Sequence, residues 1–196
     1  MFQVRIHGRG GQGVVTAAEI LSMAAFAEGR HSQAFPSFGS ERMGAPVISF
    51  CRIDDRPIRT REPVVEPDAL IIQDVTLIHQ VDLFAGLSPD GSVLVNTSRT
   101  FEELGLGALV RRFHSDRLLS CPATELALEQ LGRPLPNAAL LGGFAALTGE
   151  ITLDAIGTAA RQRYPGTLGE QNVAAATAAY ELVSSSRAEL ARAAAD

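Results

Sequence analysis

A chain of 196 residues with a formal net charge of −5 and 46% apolar residues is long enough to bury the core of an α/β domain. Its basic residues are all arginine and are scattered, which argues against a nucleic-acid or acidic-lipid surface, and its apolar runs are too short to cross a bilayer. The start, Met1-Phe2-Gln3-Val4-Arg5, lacks a signal-peptide profile, so a cytoplasmic protein is expected.

The first predicted elements organise the rest. Phe2, Val4 and Ile6 alternate as in a strand, four glycines follow at Gly8, Gly10, Gly11 and Gly13, and Val14, Ala17, Ala18, Leu21 and Ala25 then share one face of a helix. Strand, glycine turn, helix is the first half of a βαβ unit, and in a parallel sheet such a turn lies at the carboxyl edge, where open α/β folds build their sites. The helix start gathers unpaired N–H groups and partial positive charge, which suits an anion. Gly8, Gly10 and Gly13 match G-x-G-x-x-G, the dinucleotide fingerprint. That fingerprint also needs a carboxylate about 20 residues on, and Arg30-His31-Ser32-Gln33-Ala34-Phe35 has none. No Gly-Lys-Ser/Thr follows, so this is not a P-loop. A tight turn with no ligand of its own is the competing reading.

After a short segment, His31 to Phe35, the stretch Pro36 to Pro46 forms a long loop that mixes Phe35 and Phe38 with Glu41 and Arg42. Such a mixture suits a partner-contacting surface, and equally a loop folded back on its own sheet. Val47 to Ile53 alternates as a half-buried strand, Asp54 to Pro57 reads as a turn, and Pro57 to Thr60 is expected to return as the second arm of a hairpin at a sheet edge. Arg52, Arg56, Arg59 and Arg61 cluster here, as a solvated basic face or as a contact for an anion or acidic partner.

From Glu66 the α/β rhythm resumes. Strands are predicted at Ala69–Ile72, Ser92–Val95 and Leu118–Ser120, with a helix over Thr76–Phe84 that turns Leu77, Val81 and Phe84 inward. Pro122 opens a helix carrying Leu126, Ala127 and Leu131, and Gly132 stops it. Gly8–Gly13, Asp74, Asn96–Ser98 and Cys121–Thr124 should therefore share the carboxyl edge.

The last third is helical. Asn137 caps a helix apolar on all sides, which must be buried in this chain or against another, and Gly142 and Gly143 within it call for close packing. Thr152 caps the next helix, with Ile151 and Ile156 as a hydrophobic staple, and Tyr164-Pro165-Gly166 ends it. A final helix runs from about Gly169 to Ser184. The expected organisation is one α/β domain over residues 1–184 and a C-terminal tail, 185–196, that frays. The fold class is α/β: a Rossmann-like, mostly parallel sheet flanked by helices, with a β-hairpin insertion and a helical C-terminal part.

Catalytic constellations are missing. Cys51 and Cys121 are single, no C-x-x-C exists, and His7, His31, His79 and His114 are not spaced as ligands, so the chain alone builds neither a zinc site nor an iron–sulfur cluster. Cys51 reads as a small buried hydrophobe; Cys121 reads the same way or as a reactive thiol.

Several stretches together resemble one family, the gamma subunit or gamma domain of the 2-oxoacid:acceptor oxidoreductases, which include pyruvate:ferredoxin oxidoreductase. They are HGRGGQGVVTAAEIL (His7–Leu21), FPSFGSERMGAPV (Phe35–Val47), RIDDRPIR (Arg52–Arg59), EPDALIIQD (Glu66–Asp74), VNTS (Val95–Ser98), LGRPLPNAALLGGF (Leu131–Phe144) and RYPGTLGEQNVAA (Arg163–Ala175), in the family's order. One departure is Met43, where the family's pattern commonly carries a second arginine.

The resemblance implies a non-catalytic subunit of a complex that decarboxylates a 2-oxo acid oxidatively and gives the acyl group to coenzyme A. Thiamine diphosphate with Mg, and the iron–sulfur clusters, would be held by alpha, beta and ferredoxin-like delta partners, with none bound by this chain alone, and an added flavoprotein could serve as electron acceptor. Neither nucleic acid nor membrane is an expected partner. No residue of this chain is expected to be catalytic or to bind a metal. Gly8, Arg9, Gly10, Gly11, Gln12, Gly13, Phe38, Ser40, Glu41, Arg42, Gly44 and Asn96 are expected to face the coenzyme A approach or a partner. Two other readings remain at this stage: a free-standing NAD(P)-binding reductase that uses the glycine turn, and a purely structural subunit.

Overall fold

In a computed structural model, residues 1–37 and 43–193 are described. Six strands, β1 (Phe2–Arg9), β2 (His31–Pro36), β3 (Pro46–Asp54), β4 (Ala69–Ile72), β5 (Ser92–Asn96) and β6 (Leu118–Cys121), form one sheet in the order β2-β3-β1-β4-β5-β6. β1 pairs parallel with β4, β4 with β5 and β5 with β6, whereas β3 pairs antiparallel with both β1 and β2. β3 alone therefore runs against the other strands.

The expected hairpin of Val47–Ile53 with Pro57–Thr60 does not form. β2, not Pro57–Thr60, pairs with β3 (Phe35 opposite Phe50), and the antiparallel strand lies inside the sheet, between β1 and β2. The physical reason is on β3: Arg52 is buried, donates from Nη2 to Glu62 O (2.6 Å) and lies over the Phe35 ring, so the stretch after the Asp54 turn is held as an extended strap and does not pair as a strand. The basic cluster splits accordingly, with Arg56, Arg59 and Arg61 exposed.

The helices are α1 (Val14–Ala27), the single-turn α2 (Gly107–Val110), α3 (Ala123–Leu131), α4 (Asn137–Thr148), α5 (Leu153–Arg163) and α6 (Thr167–Ala193). The five longer helices share one hydrophobic core with Val4, Ile6, Val47, Cys51, Ile53, Ala69, Ile71, Leu94, Leu119 and Cys121, all on one face of the sheet. Period-two alternation sends Leu70, Ile72, Val93, Val95 and Leu118 to the opposite face. There a 3-10 turn over Val75–His79, the loops around Leu83, Phe101 and Leu104, and Leu109 of α2 cover them. The helix predicted over Thr76–Phe84 is thus only this short turn. Leu77 and Leu83 are buried while Val81 is 39% exposed, because Asp74 caps the turn by accepting from Thr76 N and no long helical register follows.

α4 is buried from Asn137 to Leu147 within the chain. A Cβ on Gly142 would strike the Ala176 carbonyl of α6, and one on Gly143 would press on Leu94 and Val183, so both glycines serve close packing as expected. Pro136, not Asn137, occupies the N-cap of α4. Thr152 caps α5 by accepting from Ala155 N at 3.2 Å, with Ile151 and Ile156 buried beside it, and Gly132 ends α3 in the left-handed region. α6 continues to Ala193, past the predicted end near Ser184 and through most of the segment expected to fray, and Arg187 Nη1 reaches back to Ala146 O at 3.3 Å. Among the described residues no helix is long and apolar enough to cross a membrane.

Candidate functional site: the glycine turn and its clamp

The carboxyl ends of β1, β4, β5 and β6 line up, and the turn Gly8–Gly13 emerges there from β1 into α1. Gly11 and Gly13 hold φ of 92° and 74°, which a residue with a Cβ adopts at a cost. Among the described residues no side chain caps α1, so the N–H groups of its first turn have no partner in the helix. They border a shallow cleft of about 290 Å³ lined by Arg9, Gly10, Gly11, Gly13, Val14, Val15, Thr16 and Val47. An uncapped helix start with glycine backbone beside it can receive an anionic group.

Arg9 does not point freely into this cleft. Its Nε donates to Asp74 Oδ2 (3.1 Å), Nη1 to Gly44 O (3.0 Å), and Nη2 to Thr76 Oγ1 (2.7 Å) and Gln80 Oε1 (2.9 Å). Gln12 works from the turn itself: its Oε1 accepts from Arg9 N (2.7 Å) and its Nε2 donates to Asp74 Oδ2 (2.8 Å). Burial opposes the charge on Asp74, but hydrogen bonds from Thr76 and Gln12 and the charge of Arg9 outweigh it and hold the carboxyl below its ordinary range. Asp74 is thus the hub that ties the turn to the end of β4.

The loop returning from β2 is fastened to the same turn. Gly10 N donates to Ala45 O (2.9 Å), Gly44 N donates to Gly10 O (3.1 Å), and a Cβ on Gly11 would lie 2.7 Å from Met43 Sδ. Of the site residues expected from sequence, Gly8, Arg9, Gly10, Gly11, Gln12, Gly13 and Gly44 come together here. Phe38, Ser40, Glu41 and Arg42 lie outside the described residues. Asn96 is brought to the edge but fully used there: its Nδ2 donates to Gln73 O (2.9 Å) and Thr124 Oγ1 (2.8 Å), and its Oδ1 accepts from Thr124 N (3.1 Å), pinning the start of α3.

Two residues that sequence reasoning did not count among the site residues lie beneath the turn. Gln73 and Asn137 are 3% and 5% exposed, and Gln73 Nε2 donates to Asn137 Oδ1 at 3.0 Å. The available signal was a polar side chain at the end of an otherwise apolar strand and at the start of an all-apolar helix. Nearby on β1, Arg5 Nε donates to His7 Nε2 (3.0 Å), and burial together with the Arg5 charge pushes the His7 pKa down to about 3, so the ring is neutral. Burial raises the Cys51 thiol to about 12; at Cys121 burial and the Glu125 charge do the same, against a reactive thiolate.

The site is thus an open α/β sheet that carries a clamped glycine turn at its carboxyl edge. The family model for pyruvate ferredoxin/flavodoxin oxidoreductase matches residues 3–182. The pyruvate synthase subunit PorC of Methanothermobacter marburgensis is 47% identical over 181 residues, covering 92% of this chain and 97% of that one. The pyruvate/ketoisovalerate oxidoreductases common subunit gamma of Pyrococcus abyssi is 48% identical over 181 residues, covering 92% and 96%. Among solved structures, the pyruvate oxidoreductase subunit PORC of Thermotoga maritima superposes with a TM-score of 0.76 at 34% identity, covering 92% of this chain and 95% of that one. The chain belongs to the pyruvate ferredoxin/flavodoxin oxidoreductase family. Within it, the chain is the gamma-type subunit of a multi-subunit 2-oxoacid oxidoreductase.

Proposed function

We propose that this chain is a non-catalytic subunit of a thiamine diphosphate-dependent, coenzyme A-acylating 2-oxoacid oxidoreductase, and that its glycine-turn edge faces the coenzyme A approach where it meets the catalytic partners. Coenzyme A carries phosphates, and the observation that carries the reading is the uncapped start of α1 opening on a cleft of about 290 Å³. Thiamine diphosphate and Mg would sit on alpha and beta chains, and iron–sulfur clusters on beta and ferredoxin-like delta chains. The donor set supports that division: the two cysteines are single, buried and far apart in sequence, so a cluster needs thiolates from elsewhere. Arg9 and Gln12 hold the edge rigid through Asp74, and Arg42 supplies a guanidinium for a partner carboxylate or a coenzyme phosphate.

The free-standing dinucleotide-binding alternative has less support. In the fingerprint arrangement the second strand lies beside the first and carries the ribose-binding carboxylate at its end. Here β3 lies between β1 and β2, and β2 ends Phe35-Pro36.

The test is Gly13→Ala in the complex purified with its partners. A Cβ there meets Asn137 and the residue stands at positive φ, so the turn must shift. The expected result is a raised KM for coenzyme A with assembly intact. Intact assembly with an unchanged KM would sink the reading.

A further inference from the structure

The turn rests on a floor of two buried amides. Gly13 lies so close to Asn137 Nδ2 that a Cβ would collide with it, and a Cβ on Gly8 would lie 3.1 Å from Gln73 Oε1 and 3.0 Å from Gln12 Oε1. The Gln73–Asn137 hydrogen bond fixes which way each amide faces: Asn137 turns its Nδ2 toward Gly13, and Gln73 turns its Oε1 toward Gly8. Gln73 itself cannot drift, because its N–H donates to His7 O (2.7 Å) and its carbonyl accepts from Asn96 Nδ2 (2.9 Å). Both neighbouring parallel strands therefore set the height of the floor.

A pair chosen for stability alone would be apolar or fully satisfied. Gln73 Oε1 is buried and, among the described residues, accepts no hydrogen bond. An unmade hydrogen bond in a buried place is destabilising, and such exceptions concentrate where function sets the residue. We propose that Gln73 and Asn137 are positioning residues: they hold the Gly8–Gly13 backbone, and with it the first N–H groups of α1, in the shape that receives the anionic end of coenzyme A. This rests on the proposed role of the turn. The pair touches no ligand and acts through the glycine backbone above it.

The experiment compares Gln73→Met and Asn137→Ser with Gly13→Ala in the assembled complex, reading the coenzyme A KM, kcat at saturating coenzyme A, and Tm. Gln73→Met keeps the length of the side chain and removes the unpartnered acceptor, but it also takes the donor away from Asn137 Oδ1, so Tm should fall modestly. The KM should rise on the order of tenfold while kcat is kept, as when a preorganised binding loop loosens. The double variant should be no worse than the more affected single one, because the two act as a unit. If Gly13→Ala raises KM and neither amide variant does, this inference fails and the reading of the turn stands. If none of the three raises KM, the reading of the turn falls and takes the inference with it. A loss of Tm with KM unchanged would reduce the pair to packing and also overturn it. Should Gln73→Met fail to assemble, Asn137→Ser carries the same test.

Discussion

Gly142 and Gly13 are both glycines pressed against a neighbour, yet the neighbours differ in kind. Gly142 lets α4 lie against the backbone of α6 inside the helix-covered core. Gly13 lets a turn lie on a side-chain amide at the carboxyl edge. The first contact is dry and backbone to backbone, so nothing there can yield except two helices. The second is backbone to polar side chain, in a place where helix N–H groups face out to a cleft. The contrast extends along β1: Val4 and Ile6 enter the helical core, while Arg5, His7 and Arg9 turn to the other face and form hydrogen-bonded clamps.

If that contrast is sound, Gly142→Ala should be the most damaging single change. The added methyl meets the Ala176 carbonyl, so α4 and α6 must part, with an expected loss of about 3 kcal/mol or more in denaturant unfolding. Any complex that survives should keep its coenzyme A KM. Gly13→Ala should show the reverse profile, with a smaller stability loss of about 1–2 kcal/mol from the left-handed conformation and a clear change in KM.

The polar face of β1 sharpens the comparison through pH. The His7 pKa is depressed to about 3, first by burial and then by Arg5, from an ordinary 6.5. The unfolded chain thus takes up a proton that the folded chain refuses. Stability from this group is fully present above about 6.5 and declines as pH falls toward about 3. His7→Gln keeps an acceptor for Arg5 Nε and removes the titration, so its unfolding midpoint should fall less over that window. An identical acid profile would show that His7 is not the sensor.

Arg9→Met should cost about 1–2 kcal/mol, since several hydrogen bonds go but the site is partly open to water. It should also loosen the Gly44–Ala45 return, measurable as faster amide exchange at Gly10. The smallest effect is chemical: Cys51 and Cys121, with thiols raised to about 12, should resist alkylation at pH 8 until the core opens. Rapid native labelling of Cys121 would revive it as a reactive group.

Local chemistry was legible where one stretch of chain decides its own conformation. The glycine turn, the Thr152 cap with its Ile151–Ile156 staple, the Gly132 stop and the burial of α4 could be read from spacing, because each depends on residues within a turn or two. The family was legible for a related reason, since several of its motifs, among them His7–Leu21, Glu66–Asp74 and Leu131–Phe144, fall on the elements that build one edge and one buried helix. The candidate edge was half legible: the turn and Asp74 were placed correctly, while the Gln73–Asn137 floor joins residues 64 positions apart that no periodicity connects.

Other features belonged to tertiary structure alone. Which strand would take the place beside β1 depended on buried Arg52 and on β2, and the pattern of Val47–Ile53 fits an edge as well as an interior position. Leu77, Val81 and Phe84 looked like one helical face, yet a 3-10 turn and a loop bury Leu77 and Leu83 and leave Val81 exposed, because apolar area is indifferent to the backbone that delivers it. The sequence by itself determined an α/β chain with a glycine turn at the carboxyl edge of its sheet, because strand, turn and helix are contiguous there. Only packing decided that the five longer helices would share one face, that Arg9 would be spent on Asp74, and that two amides would lie beneath the turn, since those outcomes hang on contacts between segments far apart in the chain.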